Sequence, residues 1–324
     1  MVSPSVTYYS AGATGVRIET VCQHASFTGL PLPLTRQLGL TSGFTGPSTL
    51  QLADGSFLAT FALKFATELA RNGSWQLGSL FGQKPGSWHG LPKKIPMSIV
   101  AFRSTDGLNW RFLSTVANHS AMPWSYYGPQ EHGIAYDSAD NNKLLCVMRV
   151  DTDGGCPGGP AYKNFAIVSS TDHGRSFTEP KVVDWGGCVR PRMLRLSDGP
   201  LLLFGGRWCS ACTDGSCADP AKGPTHTVGQ ACPHLLWVRN SSEPDPTSRL
   251  GWEMICVTNL HNARSKMTIP KHQLDVYGSL IELGPASAGV VYPRNLGNGP
   301  QQVFMMQFHF NRTIAAPATG PSGK

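Results

Sequence analysis

The chain has 324 residues, of which 15% are charged, with 36 glycines, 25 prolines and a formal net charge of +7 at pH 7. No apolar run approaches the ~20 residues that a membrane-spanning helix requires, and no basic run is longer than Lys93-Lys94, so we expect neither a membrane span nor a nucleic-acid partner. Few charges and many turn-forming residues are typical of a protein built from many short strands. The positive balance is compatible with an acidic ligand.

The first 45 residues contain one predicted strand, residues 16–21, and we expect this region to form a partial sheet or to close the fold. Residues 1–15 lack the basic and apolar segments of a secretion signal, so the sequence predicts none there.

A hairpin pattern then recurs along the chain. Alternating apolar residues enter a turn and leave it as a second strand, clearly at residues 50–58 and 194–203 and more loosely at 134–147 and 280–291. Recurrence at this scale predicts a fold made of repeated sheets. The repeats begin near Pro47, Glu131, Pro191 and Tyr277.

Two short turns, Ser104–Trp110 and Ser170–Phe177, follow apolar runs and end on an aromatic residue. In such a turn the Asp carboxylate accepts backbone N–H groups, Gly adopts a positive φ, and the aromatic packs on the returning strand. We therefore predict that Asp106 and Asp172 bond their own turns and that Trp110 and Phe177 are buried.

These two turns resemble the Asp box of the sialidase-type β-propellers. The second copy fits Ser-x-Asp-x-Gly-x-Ser/Thr-Trp/Phe fully, and the first is one residue shorter. The resemblance implies an all-β fold, a five- or six-bladed β-propeller with four strands per blade and possibly one incomplete blade. Residues 1–324 would form this single domain, with residues 1–45 as a partial blade or closure.

The resemblance also implies site residues. Sialidases use a Tyr nucleophile charged by a nearby Glu, an Asp as acid and base, and an arginine triad that binds the substrate carboxylate. Tyr277 in Tyr277-Gly278-Ser279-Leu280 matches the nucleophile segment, Glu131 its partner, and Arg149 one arginine of the triad. Structural roles stay open: Tyr277 as a packed strand residue, Glu131 as a loop acid, and Arg149 as a partner of Asp151.

Two departures from the family pattern bear on activity. The family usually has Phe/Tyr-Arg-Ile-Pro where this chain has Phe44-Thr45-Gly46-Pro47, so Arg17 is the candidate substitute for the missing arginine. Between Asp54 and Asp106 the only acidic residue is Glu68, which either serves as the acid and base or marks its loss. Three further arginines, Arg190, Arg192 and Arg207, are candidates for substrate binding or for structural ion pairs.

The nine cysteines and four Asn-x-Ser/Thr triplets, which are acceptor sequences for N-glycosylation, favour an extracellular or lumenal protein, although a cytosolic protein with reduced thiols is the alternative. Four cysteines lie in an insert at about residues 208–233, for which disulfides, a zinc site and free thiols are all compatible. Since no second Cys-x-x-Cys or His pair follows, we expect no metal site there. The triplets begin at Asn72, Asn118, Asn240 and Asn311.

The expected function is therefore that of a sialidase-like glycoside hydrolase, an exo-acting enzyme that releases a terminal sialic acid or related acidic sugar. The alternative is a catalytically impaired propeller that binds carbohydrate or protein. We expect a glycan substrate, a monomeric chain and no cofactor, because no cofactor motif is visible.

Overall fold

The computed structural model describes residues 5–12, 15–22, 26–28, 45–64, 97–118, 121–122, 125–152, 161–183, 185, 189–206, 234–257, 260, 278–294 and 302–310. For β1, β2 and β3, defined below, it describes the backbone only. The insert at residues 208–233 lies outside the described residues.

The described residues form β-strands arranged in five sheets, and the predicted all-β class is confirmed for them. Helix is nearly absent from this part of the chain, which contains a short 3-10 turn at Arg249–Gly251. In the same residues, no helix is long and apolar enough to cross a bilayer. The number of blades and the closure of a ring stay predictions.

Sheets I and II come from the first third of the chain. Sheet I is the antiparallel pair of β1 (Ser5–Gly12) and β2 (Gly15–Cys22). Sheet II has the strand order β3-β7-β6-β5-β4. Its strands are β3 (Ser26–Thr28), β4 (Thr45–Gln51), β5 (Phe57–Lys64), β6 (Met97–Ser104) and β7 (Asn109–Ala117).

Sheets III, IV and V follow in chain order, and each is an antiparallel meander. Sheet III comprises β8 (Ser125–Tyr136), β9 (Leu144–Thr152), β10 (Ala161–Ser170) and β11 (Lys181–Val182). Sheet IV comprises β12 (Val189–Arg195), β13 (Leu201–Gly206), β14 (His234–Arg239) and β15 (Trp252–Cys256). Sheet V comprises β16 (Ser279–Gly284), β17 (Ser287–Arg294) and β18 (Gln302–His309).

The four predicted hairpins are present as β4–β5, β8–β9, β12–β13 and β16–β17. In each of them the first strand lies at an edge of its sheet.

Apolar side chains fill the spaces between successive sheets. Leu58 and Ile99 of sheet II meet Cys146 and Met148 of sheet III, and all four are fully buried. Similar layers join sheet III to sheet IV and sheet IV to sheet V. The outer face of sheet II is also buried, whereas the outer face of sheet V exposes apolar side chains. The exposed residues are Ile281, Leu283, Val303 and Met305.

One edge strand from each of sheets II to V, namely β4, β8, β12 and β16, lies beside the next in that order. We call them the inner strands. They run in the same direction, since residue numbers rise together along each contact. The main-chain N–H of Arg190 in β12 meets Glu131 in β8, and farther along Met193 lies against Gly133. The end at which these strands begin is called the near end, and the opposite end the far end.

The close approach of β8 and β12 requires a glycine. A Cβ atom at Gly133 would lie 2.8 Å from the main-chain nitrogen of Met193 and 3.1 Å from the carbonyl oxygen of Pro191. Neither backbone atom can move without shifting β12, so the packing of these two inner strands depends on the missing side chain.

The two Ser-x-Asp turns lie at the far end, and the predicted hydrogen bonds within them are present. Asp106 accepts the main-chain N–H groups of Leu108 and Asn109 at 2.9 and 2.7 Å. Asp172 accepts the N–H and hydroxyl of Ser176 at 2.9 and 2.6 Å. The hydrogen bonds that Asp106 accepts, those from Asn109 above all, lower its pKa below its usual range.

The aromatic residues of the two turns differ in burial. Trp110 is buried, with 8% of its surface exposed, as predicted. Phe177 is half-buried, so its prediction was too strong. The reason is that Trp110 opens a regular strand inside sheet II, whereas Phe177 precedes β11, which has only two residues and covers little of it.

A buried ion pair joins sheets III and IV at the far end. Arg239 Nε donates to Asp137 Oδ1 at 3.2 Å, and both side chains are at most 1% exposed. The same guanidinium donates to the carbonyl oxygens of Asn240, Glu243 and Gly251. It therefore fixes the connection between β14 and β15, because each carbonyl is tied to one rigid group.

We expect Gly133→Ala to lower the free energy of unfolding by about 1–3 kcal/mol, because the added methyl overpacks a backbone contact. Gly284→Ala is the matched control, since its Cβ would meet nothing closer than 3.8 Å. Urea unfolding of both variants measures the difference. Equal stability of the two variants would contradict the close approach.

We expect Asp172→Ala to lower the free energy of unfolding at neutral pH by about 1 kcal/mol or more, because it removes hydrogen bonds from the turn. Burial opposes ionisation, yet hydrogen bonds from Ser176, Ser170 and Arg175 lower the pKa of Asp172 to about 2. The unfolded chain, with an Asp pKa of about 3.9, takes up the proton first as the pH falls. Unfolding measured at several pH values should therefore show the difference from the wild type shrinking between about pH 4 and pH 2.

Thr171→Ala is the control, because Thr171 is an exposed neighbour in the same turn. Its effect should stay within about 0.5 kcal/mol and should not depend on pH in this range.

Candidate functional site

Three inner strands carry a β-bulge at the same level near their beginning. In β8, Pro129 pairs with Val150 and His132 with Met148, so one extra residue is accommodated in β8. The same spacing separates Thr45 from Ser48 in β4 and Val189 from Arg192 in β12. Bulges redirect side chains and are common beside functional sites. The residues in and next to them define the candidate site.

Glu131 lies in the bulge of β8 and is the negative charge of the site. Its Oε2 accepts a hydrogen bond from Arg149 Nη1 at 2.9 Å and another from the Arg190 main-chain N–H at 2.9 Å. The Glu131 and Arg149 side chains are only 11% and 12% exposed. One carboxylate oxygen thus ties together β8, β9 and β12.

Two further arginines, Arg190 and Arg192, surround this ion pair. Burial lowers the pKa of Arg192, the neighbouring charge of Arg190 lowers it further, and Glu131 opposes the shift. Three arginines therefore lie near one carboxylate, and the formal charges of these four side chains sum to +2. We call Glu131, Arg149, Arg190 and Arg192 the arginine cluster.

Arg190 has a backbone conformation that is uncommon for a residue with a side chain. Its φ is +54°, in the left-handed region. This conformation lies within the bulge of β12 and accompanies the hydrogen bond from its N–H to Glu131. Strained backbone of this kind concentrates at functional sites.

His132 follows Glu131 in β8. Whereas Glu131 contacts sheet IV, His132 contacts sheet II on the other side of sheet III. It is 1% exposed, with Nδ1 3.1 Å from the Gln130 carbonyl oxygen and Nε2 2.8 Å from Thr60 Oγ1. Because a carbonyl oxygen can only accept, the contact with Gln130 places the proton of the neutral ring on Nδ1. Nε2 then faces the Thr60 hydroxyl, which also lies 3.2 Å from the Ser48 carbonyl oxygen. His132 thereby holds β8 against β5 on the side away from Arg190.

Burial is the main cause that lowers the pKa of His132 to about 4, and the charge of Arg192 lowers it further. The hydrogen bonds to Gln130 and Thr60 act in the opposite direction, because they favour the protonated ring. The ring is therefore neutral at neutral pH, and it adds no charge to the arginine cluster.

The structure brings together three of the predicted site residues, Glu131, Arg149 and Arg192. Arg149 pairs with Glu131. The side chain of Asp151, the structural partner expected for Arg149, is not among those described. Tyr277, Glu68 and Arg207 lie outside the described residues, and Arg17 is in β2, whose side chains are not described. Their catalytic and binding roles stay predictions.

Sequence reasoning weighed Arg190 among the candidate arginines but left His132 out of the predicted site. A signal was available, because each of the three bulges contains or adjoins a proline within a strand: Pro47, Pro129 and Pro191. Proline cannot donate to a sheet and marks edges and bulges. Within the described residues, no group of three or more His, Cys, Asp or Glu side chains is arranged to hold a metal ion.

No family model and no curated protein matches the chain. Among solved structures, the chain is similar to a protein of unknown function from Dyadobacter fermentans, with 14% identity, a TM-score of 0.53, and coverage of 94% of this chain and 67% of that one. At this identity the likeness concerns the fold alone.

Two glycoside hydrolases show weaker likeness. A GH43_1 enzyme from Xanthomonas citri has 13% identity, covers 84% of this chain and 78% of that chain, and has a TM-score of 0.47. A family 117 enzyme from Zobellia galactanivorans has 12% identity, covers 92% of this chain and 74% of that chain, and has a TM-score of 0.46. Neither is described as a sialidase, and the sialidase resemblance rests on sequence motifs.

We expect the stability of the wild type to fall as the pH drops from about 6.5 to about 4, in part because of His132. With an unfolded pKa of about 6.5, the unfolded chain binds a proton in this window that the folded imidazole does not, which costs at most about 1.4 kcal/mol per pH unit. Urea unfolding of His132→Gln across this range should lack that component. Thr60→Val keeps the imidazole and should keep a pH dependence. Identical pH profiles for wild type and His132→Gln would contradict a buried neutral ring.

Proposed function

We propose that the chain is a sialidase-like β-propeller glycosidase that binds the carboxylate of a terminal acidic sugar at the arginine cluster and hydrolyses the glycosidic bond. The observation that carries the proposal is the concentration of guanidinium groups at this point. Three arginines surround Glu131, and Arg192 is half-buried beside Arg190.

Charge is the first argument. Burial and the neighbouring charge of Arg190 both lower the pKa of Arg192, so an anion bound beside this pair would be stabilising. Guanidinium groups bind carboxylates through paired N–H donors, which gives both affinity and orientation. The carboxylate of an acidic sugar would be such an anion, and a neutral sugar carries no such group.

The position of the cluster in the fold is the second argument. Inner strands that run in the same direction and touch in the order β4, β8, β12, β16 are what a propeller would have around its axis. We propose that sheet I completes the ring between sheets V and II, because the outer face of sheet V exposes four apolar side chains that a further sheet would cover. Propellers bind ligands where the inner strands converge, and the arginine cluster lies toward the near end of those strands.

Tyr277 is the proposed nucleophile. The next residue, Gly278, lies against Phe204, since a Cβ there would be 2.3 Å from Phe204 Cε1. Phe204 pairs with Arg192 across β12 and β13. Gly278 is therefore at the level of the arginine cluster, which supports a role for the residue before it in the same site.

The proposed reaction has two steps. The Tyr277 oxygen attacks the anomeric carbon while Glu131 accepts the phenol proton, and the bond to the leaving oxygen breaks as Glu68 protonates that oxygen. Water then attacks the anomeric carbon with Glu68 as base, and Glu131 returns the proton to the Tyr277 oxygen. A tyrosine nucleophile avoids bringing a carboxylate up to an anionic substrate.

A second candidate is a glycan-binding module without hydrolysis. It is favoured by the hydrogen bonds of Glu131, whose Oε2 already accepts Arg149 and the Arg190 N–H. A carboxylate held in this way serves as an anchor for Arg149 without any need to accept a proton.

A fluorogenic sialoside tests turnover, and a non-hydrolysable sialic acid thioglycoside tests binding. We expect Tyr277→Phe and Glu68→Gln to lower turnover by ~10²–10⁴-fold while binding of the thioglycoside persists. Arg192→Ala should weaken thioglycoside binding by about 10- to 150-fold, because it removes hydrogen bonds to a charged group.

Arg175→Ala is the matched control, because Arg175 is an exposed arginine of a far-end turn and should change neither measurement. Binding without turnover in the wild type would select the second candidate. A wild type that neither binds the thioglycoside nor cleaves the sialoside would show that the proposed function is wrong.

A further inference from the structure

The connection between β14 and β15 is exposed yet tightly held. Arg239, buried in its pair with Asp137, donates to the carbonyl oxygens of Asn240, Glu243 and Gly251 at 2.9, 2.6 and 3.1 Å. The Asn240 main-chain N–H donates to the Gly251 carbonyl oxygen at 2.8 Å. These hydrogen bonds therefore fix the main chain at both ends of the connection.

The segment Asn240-Ser241-Ser242 at the start of this connection is an acceptor sequence for N-glycosylation, and all three residues are exposed. Asn240 Oδ1 accepts the N–H and the hydroxyl of Ser242 at 3.1 and 2.7 Å. Asn240 Nδ2 donates a long hydrogen bond of 3.4 Å to the Leu250 carbonyl oxygen. Since an amide nitrogen carries two hydrogens, one can be replaced while the other keeps this bond.

A second observation concerns the compartment. Cys256 in β15 is disulfide-bonded, and it pairs in register with Leu235 of β14, the strand that leads to Asn240. Disulfides form in the oxidising compartments through which secreted proteins pass, which is where asparagine glycosylation of this type also takes place.

We propose that Asn240 is an N-glycosylation site. The Nδ2 atom forms a bond to the anomeric carbon of an oligosaccharide carried on a polyprenyl diphosphate. The bond between that carbon and the diphosphate oxygen breaks, the diphosphate leaves with the electron pair, and the amide proton passes to a base. The inference does not depend on the proposed function.

The location of Asn240 is compatible with an open arginine cluster. In sheet IV, the end of β13 at Gly206 pairs with the beginnings of β12 and β14, which is the near end. Since β14 runs away from this end, Asn240 follows it at the far end. A glycan there would extend from the face opposite Arg190 and Arg192.

The test uses the full chain secreted from eukaryotic cells behind a cleavable leader. The secreted protein is treated with peptide N-glycosidase in heavy-oxygen water, which converts a glycosylated Asn to Asp with one heavy oxygen, and residue 240 is read by peptide mass spectrometry. We expect heavy oxygen at residue 240 in the wild type and in Ser242→Thr. We expect none in Ser242→Ala, which keeps the asparagine and removes the hydroxyl that the acceptor sequence requires.

Asn118→Gln is the matched control, because Asn118 begins the other acceptor sequence with a described asparagine and is also exposed. It should leave the label at residue 240 unchanged. Secreted wild type without heavy oxygen at residue 240 overturns the proposal, whether or not other asparagines carry glycans. Equal labelling of Ser242→Ala and wild type overturns it as well, because spontaneous deamidation would then explain the signal.

Discussion

The near end of the molecule depends on the hydrogen bonds that the Glu131 carboxylate accepts. It accepts hydrogen bonds from β9 and β12 while belonging to β8, so it joins two sheets through a single oxygen atom. Breaking a mostly buried ion pair by removing one partner leaves a charge without compensation, which is among the more costly changes a protein can undergo. Without Glu131, Arg149 would lose this ion pair and the Arg190 N–H would lose this acceptor.

The bulge in β8 explains how this strand of sheet III contacts both of its neighbours, sheets II and IV. In a regular strand, side chains alternate between faces, and an extra residue shifts that alternation locally. In β8 the bulge lets Glu131 contact sheet IV, while the next residue, His132, contacts Thr60 of sheet II. The Gly133 contact with β12 then keeps the sheets close enough for these bonds to form.

The two ends of the sheets have different roles. At the far end, Asp106 and Asp172 accept hydrogen bonds from their own turns, and Arg239 pairs with Asp137. At the near end lie the arginine cluster and a residue with a left-handed backbone, Arg190. The turns that hold the chain reversals are thus separated from the region proposed to bind a ligand, and the proposed glycan on Asn240 would lie at the end of the turns.

The amino-acid sequence by itself determined the β-hairpins and the Asp turns, because both follow from short-range effects. Alternating apolar residues define a strand face, and Asp106 bonds groups two and three residues away. Only the tertiary structure decided the composition of the site. Glu131 meets Arg190 across 59 residues, and His132 meets Thr60 across 72. Such pairs form only when particular sheets become neighbours and when a bulge turns a side chain to the other face of its strand. The alternation of apolar and polar residues along the sequence specifies neither the neighbouring sheets nor the bulges.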